Sequence, residues 1–482
     1  MVQREKMDTG TAIYSPTPGH KWIPATLITI FATLILGLIL LWVIQKSFKF
    51  YQNVKAVGNH PGYRTILWHR QPLSYFLPPI PGLTGGTNFD IVACVAAFPA
   101  RIEFLIADST FVKDITAACV SFPKPLIMQL HAIRIWDTWK KYRKISGPAF
   151  SDRNNRLVWE QSLKITGDLI NTVWKNKDVV EVEHAVDVTL PIALNVIGAD
   201  MVLPPGHEVP FRDVLRLAMR LTPKWAKVRA AFDELEAYML EMIENQRTAA
   251  TREERHDLFG SFLDANDGEG ESLIGRETRL TDQELLALYP DQQEILHTHV
   301  KSITPDGRNP VSFAILLHYH YTSLLKIFSS VIYETLRLFP PGTSIPKMSS
   351  EDTVLVSTNE AGERKTVPVP QGAMVRIDVV GLHYSPRYWK NPEMFSPSRF
   401  LDDWPREAFM PFSQGARACI GRKFFETEAI AVLTMIISKY KITVREKPRE
   451  TFGERKERIL KSRHGGLFLT PVKTPLVFTK RE

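Results

Sequence analysis

A single thiol in a glycine-bracketed loop constrains this chain more than any other feature. The run Phe412-Ser413-Gln414-Gly415-Ala416-Arg417-Ala418-Cys419-Ile420-Gly421 carries Cys419 with a cation two residues upstream. A lone cysteine is commonly a small buried hydrophobe. The whole pattern F-x-x-G-x-R-x-C-x-G points instead to a thiolate metal ligand. Such a ligand needs backbone N–H groups aimed at the sulfur and no side-chain bulk against the group it holds. Gly415 and Gly421 can supply both, because glycine tolerates unusual dihedrals and close approach. Arg417 can stabilise the thiolate or pair with a carboxylate of the bound group. On haem iron, a cysteine thiolate pushes electron density onto the metal and favours O–O cleavage.

The bulk composition is that of a globular protein. The chain has 482 residues, 44% hydrophobic and 23% charged, enough for a sizeable core and, by length alone, for two or more domains. A formal net charge of +8 suits anionic lipid, an acidic protein partner or nucleic acid. No nucleic-acid motif supports the third. The only cysteines are Cys94, Cys119 and Cys419, which is no disulfide framework and fits a reducing compartment.

Residues 22–45 contain no charge. About 20 apolar residues cross a bilayer core, and no small-residue cleavage site precedes Gln45, so the segment reads as an anchor rather than a signal peptide. Trp22 and Trp42 suit the two interfaces. Lys46, Lys49, Lys55 and Arg64 follow the span without an acid among them, whereas Arg4, Lys6 and Lys21 are diluted by Glu5 and Asp8. That bias puts the carboxyl side in the cytosol. Leu77-Pro78-Pro79-Ile80-Pro81-Gly82 reads as a stiff extended hinge. The expected organisation is a tail (1–21), a transmembrane anchor (22–45), a linker and proline-rich hinge (46–89) and one catalytic domain (90–482).

Beyond residue 90 the apolar spacing is mostly helical, at 139–146, 159–174, 211–220 and 226–246. The polar, glycine-containing stretch 252–281 reads as a solvated loop. Strand patterns occur at 354–357, 374–380 and 467–478. Glu334 and Arg337 lie three apart among Ile332, Leu336, Leu338 and Phe339, so they share a helical face and are at least half buried. A buried pair needs further partners, and Arg399 in Pro397-Ser398-Arg399-Phe400 is the candidate. Trp139 and Arg143 are four apart, and an indole N–H with a guanidinium suits a carboxylate.

Together these residues resemble the cytochrome P450 superfamily, and within it the membrane-anchored microsomal, fungal-type members. W-x-x-x-R (Trp139, Arg143), E-x-x-R (Glu334, Arg337), P-x-R-F (397–400) and the cysteine loop occur in family order, so the resemblance spans roughly residues 60–480. It implies a mainly α (α+β) fold with a small β-rich lobe, following one transmembrane helix. It implies haem b with Cys419 as axial ligand, and Trp139, Arg143 and Arg417 on the haem carboxylates. Phe412, Gly415 and Gly421 complete the cysteine loop. Glu334, Arg337 and Arg399 become a structural network ordering that loop. The implied activity is insertion of one oxygen atom into a lipophilic small molecule, with secondary metabolism as one setting. Electrons come from NADPH through a separate reductase, for which Lys140, Lys141, Lys144, Arg422 and Lys423 are the basic docking candidates. The implied location is the endoplasmic reticulum membrane, single-pass, catalytic domain toward the cytosol. The resemblance implies no nucleic acid.

One part of the pattern is broken. The family carries an A/G-G-x-D/E-T helix over the distal haem face, where an acid and a hydroxyl relay protons to dioxygen. Here the lead-in 280–285 joins directly onto 286–296, and the segment between is absent. Gly275-Arg276-Glu277-Thr278 and Asp108-Ser109-Thr110 imitate the motif in the wrong context. The stretch 310–323 is atypical, with His318 and His320 two apart, and 123–136 is short. The expectation is a monooxygenase lineage whose present chain is impaired. The alternatives are an isomerase, dehydratase or peroxygenase that needs no relay, and a non-catalytic, membrane-tethered product.

Overall fold

The computed structural model describes residues 25–67, 89–98, 100–125, 140, 143–144, 147, 150, 152–183, 282–303, 321–358, 364–465, 468–471 and 475–481. Trp139, the hinge 77–82, the helical segments 211–220 and 226–246, the loop 252–281 and the pair His318 and His320 lie outside them.

Helix α1 (Ala25–Ala56) contains most of the apolar stretch, and an 18-residue window of it within Ile30–Ala56 has mean hydropathy 2.0 and is not buried by the rest of the protein. The helix runs on past Lys46, because nothing between there and Gly58 breaks it. Gly58 and Asn59, both at positive φ, end it. Its last turns leave the apolar pattern behind and dock on the globule, where Phe50, Val54 and Val57 join a hydrophobic cluster and Asn53 donates to the Ala100 carbonyl.

That cluster packs against a five-stranded mixed sheet. Strands β1 (Gly62–Leu67), β2 (Ile91–Phe98), β3 (Arg101–Ile106), β5 (Ser344–Met348) and β8 (Met374–Asp378) form it in the order β1-β2-β3-β8-β5. β1 and β2 are parallel, β2 and β3 antiparallel, β3 and β8 parallel, and β8 and β5 antiparallel. The continuous apolar run of β2 suits a strand covered on both faces. A second sheet, β4-β12-β9, joins Val179–Val182, Leu476–Lys480 and Tyr440–Val444. Two hairpins complete the strands: β6 (Thr353–Thr358) with β7 (Arg364–Val369), and β10 (Ser462–Gly465) with β11 (Phe468–Pro471).

The larger core is helical. It gathers α3 (Asp152–Asp168, continued by one π turn to Val173), α4 (Asp282–Leu288), α5 (Pro290–Ile303), α6 (Tyr321–Leu338) and α8 (Arg422–Lys439). The shorter helices are α2 (Ser109–Ala117), α7 (Val379–Tyr384) and α9 (Phe452–Ile459). The Leu285–Leu286 junction sits inside α4, with both leucines buried. At 1.5 Å per residue, α4 is about 10 Å long. Two segments differ from the sequence pattern. Val379 and Val380 are helical, because the Asp378 carboxylate accepts from Gly381 N (3.0 Å) and turns the strand into α7. The run 467–478 divides between β11 and β12, which lie in different sheets. Pro471 and Pro475 bound the break and offer no donor to a ladder.

Candidate active site

The cysteine loop is shaped by residues that do not touch the sulfur. Ser413 (φ 59) and Gly415 (φ 71) take left-handed backbone, and a 3₁₀ turn spans Gly415–Arg417. A Cβ on Gly415 would meet the Thr116 carbonyl oxygen, at the end of α2, at 2.5 Å, so glycine is required on two counts. Gly421 is different. It is the residue before α8 with φ −84, and an added Cβ would meet only the Phe150 ring edge at 3.4 Å. The special backbone of the loop therefore lies upstream of Cys419. The Cys419 amide donates to the Phe412 carbonyl (2.8 Å), closing the loop on itself. Phe412 is buried beside Phe425, with the Arg422 guanidinium 5.5 Å from its ring centroid. Cys419 is left exposed, whereas Cys94 and Cys119 are buried.

Around the loop the structure collects positive charge. Arg143 donates from Nη1 to the Ala418 carbonyl (2.9 Å), one residue before the cysteine. On the α2 side, the segment after the helix is tied to β5 by Met348 N to Pro123 O and Ser350 N to Ser121 O, both 2.9 Å. That brings Lys124 and Lys347 near Arg417. Burial holds the Lys347 ammonium below its usual pKa, and Arg417 and Lys124 push the same way. Of the groups that shift it, only Cys119 favours its charge. Lys124 is also lowered, first by burial and then by Arg417. Arg417 itself is lowered by burial. Three cations from a loop, a strand and the cysteine turn thus share one low-dielectric region, an arrangement that favours an anion. Sequence reading found Arg417 and Arg143 but missed Lys124 and Lys347. No local spacing links them; only sheet register does.

The E-x-x-R pair is more deeply buried than its spacing required, with no exposed area on either side chain. Glu334 accepts from Arg337 Nε (2.7 Å) and Nη2 (3.0 Å), Arg399 Nε (3.1 Å) and Ser396 N (2.8 Å). Arg337 also donates to the carbonyls of His383 and Pro392, both at 2.8 Å. The structure thus brings Glu334, Arg337 and Arg399 together. Asp108, one of the two decoys, caps α2 through Thr110 N (2.9 Å) and pairs with Arg387 (3.2 Å), which is a structural role. Beside the loop, an open cavity of about 870 Å³ is lined by Tyr333, Trp404, Arg406, Phe412, Gln414 and Arg422, among others.

Comparison with known proteins shows the family. The family model for Cytochrome P450 matches residues 283–468. Cytochrome P450 monooxygenase 124 of Postia placenta is 39% identical over 93% of this chain and 99% of its own length. The chain belongs to the cytochrome P450 family. Cytochrome P450 monooxygenase ORF6 of Penicillium roqueforti is 24% identical over 63% of this chain and 66% of its own. The crystal structure of the cytochrome P450DA heme domain superposes with a TM-score of 0.66, covering 88% of this chain and 98% of that one at 20% identity, which supports the fold. The protein is thus a P450-type oxidoreductase of mixed helical and small-sheet architecture. The Postia alignment runs over 525 positions, whereas 93% of 482 residues is about 448. Some 77 of its positions therefore have no counterpart in this chain.

Family membership implies haem iron, and the residues present fit it. One exposed thiol sits on a loop whose amide is already satisfied, and the buried Lys347 with the half-buried Lys124 and Arg417 suits a group with two carboxylates. Exchanging Lys347 for methionine tests that fit. The haem-free protein is expected to keep its melting temperature, because a repelled buried cation has been removed. Haem release to a scavenger should quicken about tenfold, the worth of one charge-assisted hydrogen bond. An unchanged release rate would count against the fit.

Proposed function

We propose that this chain is a membrane-anchored haem-thiolate monooxygenase whose power to activate dioxygen is impaired. Cys419 would hold the haem iron through its thiolate, and its exposure on a loop otherwise tied down by Phe412, Gly415 and Thr116 carries the reading. Arg417, Arg143, Lys124 and Lys347 would hold the haem carboxylates, with Trp139 joining them by family analogy. When bound, haem would supply the activation of dioxygen, one atom going to a lipophilic substrate and the other to water with the two electrons from NADPH. The protein's part is to hold the thiolate, neutralise the carboxylates and keep the loop ordered through Glu334, Arg337 and Arg399. The substrate reaches the site from the lipid in which α1 is anchored. The setting is the endoplasmic reticulum, with the globule facing the cytosol and secondary metabolism as the context, in keeping with the fungal relatives. A reductase supplies NADPH-derived electrons at the basic surface formed by Lys140, Lys144, Lys423 and Arg422, together with Lys141.

Impairment follows from proton supply. The sequence passes from 285 to 286 without the family's acid–hydroxyl relay, and the gaps in the Postia alignment support a deletion. A chain without that acid–hydroxyl pair lacks the family's proton supply, a contribution of about 10²–10⁴-fold. The test compares two oxidant supplies in the full-length protein. With NADPH and reductase, turnover should be at least about a hundredfold below that of a complete relative. Hydrogen peroxide, which brings its own protons and oxygen, should support measurable oxidation. Ordinary NADPH-driven turnover would refute the impairment. A reduced protein without a thiolate-type carbon monoxide spectrum would refute the haem reading and leave a tethered, non-catalytic chain.

A further inference from the structure

Residue His383 lies on α7, fully buried, between the E-x-x-R helix and the approach to the cysteine loop. Its ring makes two hydrogen bonds in opposite directions. The Met410 amide donates to Nε2 (2.9 Å), so Nε2 carries the lone pair. Nδ1 therefore carries the proton and donates to the Arg337 carbonyl (3.0 Å). The His383 carbonyl in turn accepts from Arg337 Nη1 (2.8 Å), so the two residues are paired reciprocally. The imidazole also stacks on Phe409, centroids 5.4 Å apart and planes within 19°. Burial, then the Arg337 charge, pushes its pKa down to about 3, which keeps the ring neutral at physiological pH.

The links continue to the thiol. The Met410 carbonyl accepts from Ser413 N (3.2 Å), and the Phe412 carbonyl accepts from Cys419 N (2.8 Å). A path of backbone bonds, with one imidazole inserted, therefore joins the Glu334–Arg337 network to the Cys419 amide. Among the described residues, the member of this network that reaches the entry to the loop is His383, through Met410 N.

We propose that His383 is a positioning residue for Cys419. As the neutral Nδ1–H tautomer it clamps Met410, the entry to the cysteine loop, onto the carboxyl end of α6, and so fixes where the thiolate is presented. This deepens the reading of Cys419 as the haem ligand and rests on it. Side-chain constellations of this kind depend on supporting residues whose own geometry is locked.

Three substitutions separate the two bonds. His383→Asn keeps a donor near Arg337 O and loses the acceptor facing Met410. His383→Gln carries an acceptor long enough to reach Met410. His383→Phe keeps the stacking and loses both bonds. Each is made in the full-length chain in detergent. Two quantities are read: the ratio of thiolate-type to thiol-type carbon monoxide absorption at equal haem content, and hydrogen exchange of the cysteine-loop amides in the haem-free protein. His383→Asn and His383→Phe should lower the ratio at least fivefold and speed loop exchange at least tenfold, with α6 amides unchanged. His383→Gln should recover at least half of both effects. Wild-type ratio and exchange in His383→Asn would overturn the proposal. Equal defects in the Gln and Phe variants, or loss of the fold in all three, would reduce His383 to an ordinary core strut and overturn it as well. If wild type itself lacks a thiolate-type spectrum, the haem reading fails, while the exchange data still judge the clamp.

Discussion

Glu334→Gln is expected to yield almost no haem-loaded protein. The carboxylate is wholly buried and is the counter-charge shared by Arg337, also wholly buried, and Arg399, whose side chain is 13% exposed. Glutamine has nearly the same shape but offers one acceptor oxygen where the carboxylate offers two, and it carries no charge. Arg337 would keep its bonds to the His383 and Pro392 carbonyls, and its cation would remain between the rings of Tyr384 and Trp389. The charge would then be buried without compensation. Removing one partner of a buried ion pair costs about 3–5 kcal/mol, set against a total of about 5–15 kcal/mol for a typical fold. The measure is soluble, protease-resistant protein per cell, with haem absorbance per milligram beside it. Arg399→Gln is the control. Arg399 is peripheral and gives Glu334 one bond of four, so a milder loss is expected. Equal yields from Glu334→Gln and wild type would show that the network is not what orders this region.

What could be read from the sequence was what is local along the chain. The three-residue spacing of Glu334 and Arg337 specifies a shared helical face before any coordinates exist, and α6 delivers it. The cysteine loop is a contiguous run whose glycine and arginine spacing is itself the signal. The long apolar helix is legible because charge is absent from 24 consecutive positions, 22–45. The extra reach of α1 to Ala56 was not legible, since its last turns are held by packing on the sheet rather than by their own pattern. Lys347, Lys124 and His383 were missed for a related reason. Lys347 faces Arg417 because β5 pairs with β8 in one register, and His383 meets Met410 at a sequence separation of 27. Such long-range pairings leave no periodic trace. Gly415 and Gly421 look equivalent in the motif, yet only Gly415 has a positive φ and a neighbouring carbonyl that forbids a side chain.

Cys419→Ala is expected to erase the thiolate-type spectrum completely while leaving the polypeptide folded. The two outcomes separate because the loop does not depend on the sulfur. Its order comes from the Cys419 amide bond to Phe412, the Gly415–Thr116 contact and the Arg143 bond to Ala418, all of which are backbone or belong to other residues. An exposed side chain away from such features changes stability by no more than about 0.5 kcal/mol, so the haem-free melting curve should hardly move. The spectrum has no substitute ligand. Cys119 is buried and donates to the Thr116 carbonyl (3.2 Å), and Cys94 is buried with its thiol pushed up to about 11, mainly by burial. Alkylation of the haem-free protein adds an independent measurement. A thiol reagent should label Cys419 first, because exposure governs access and the thiolate is the reacting form. Prior loading with haem should protect that one site. Retention of a thiolate-type spectrum in Cys419→Ala, or haem protection of Cys119 instead, would move the metal ligand elsewhere and with it every functional role assigned to this loop.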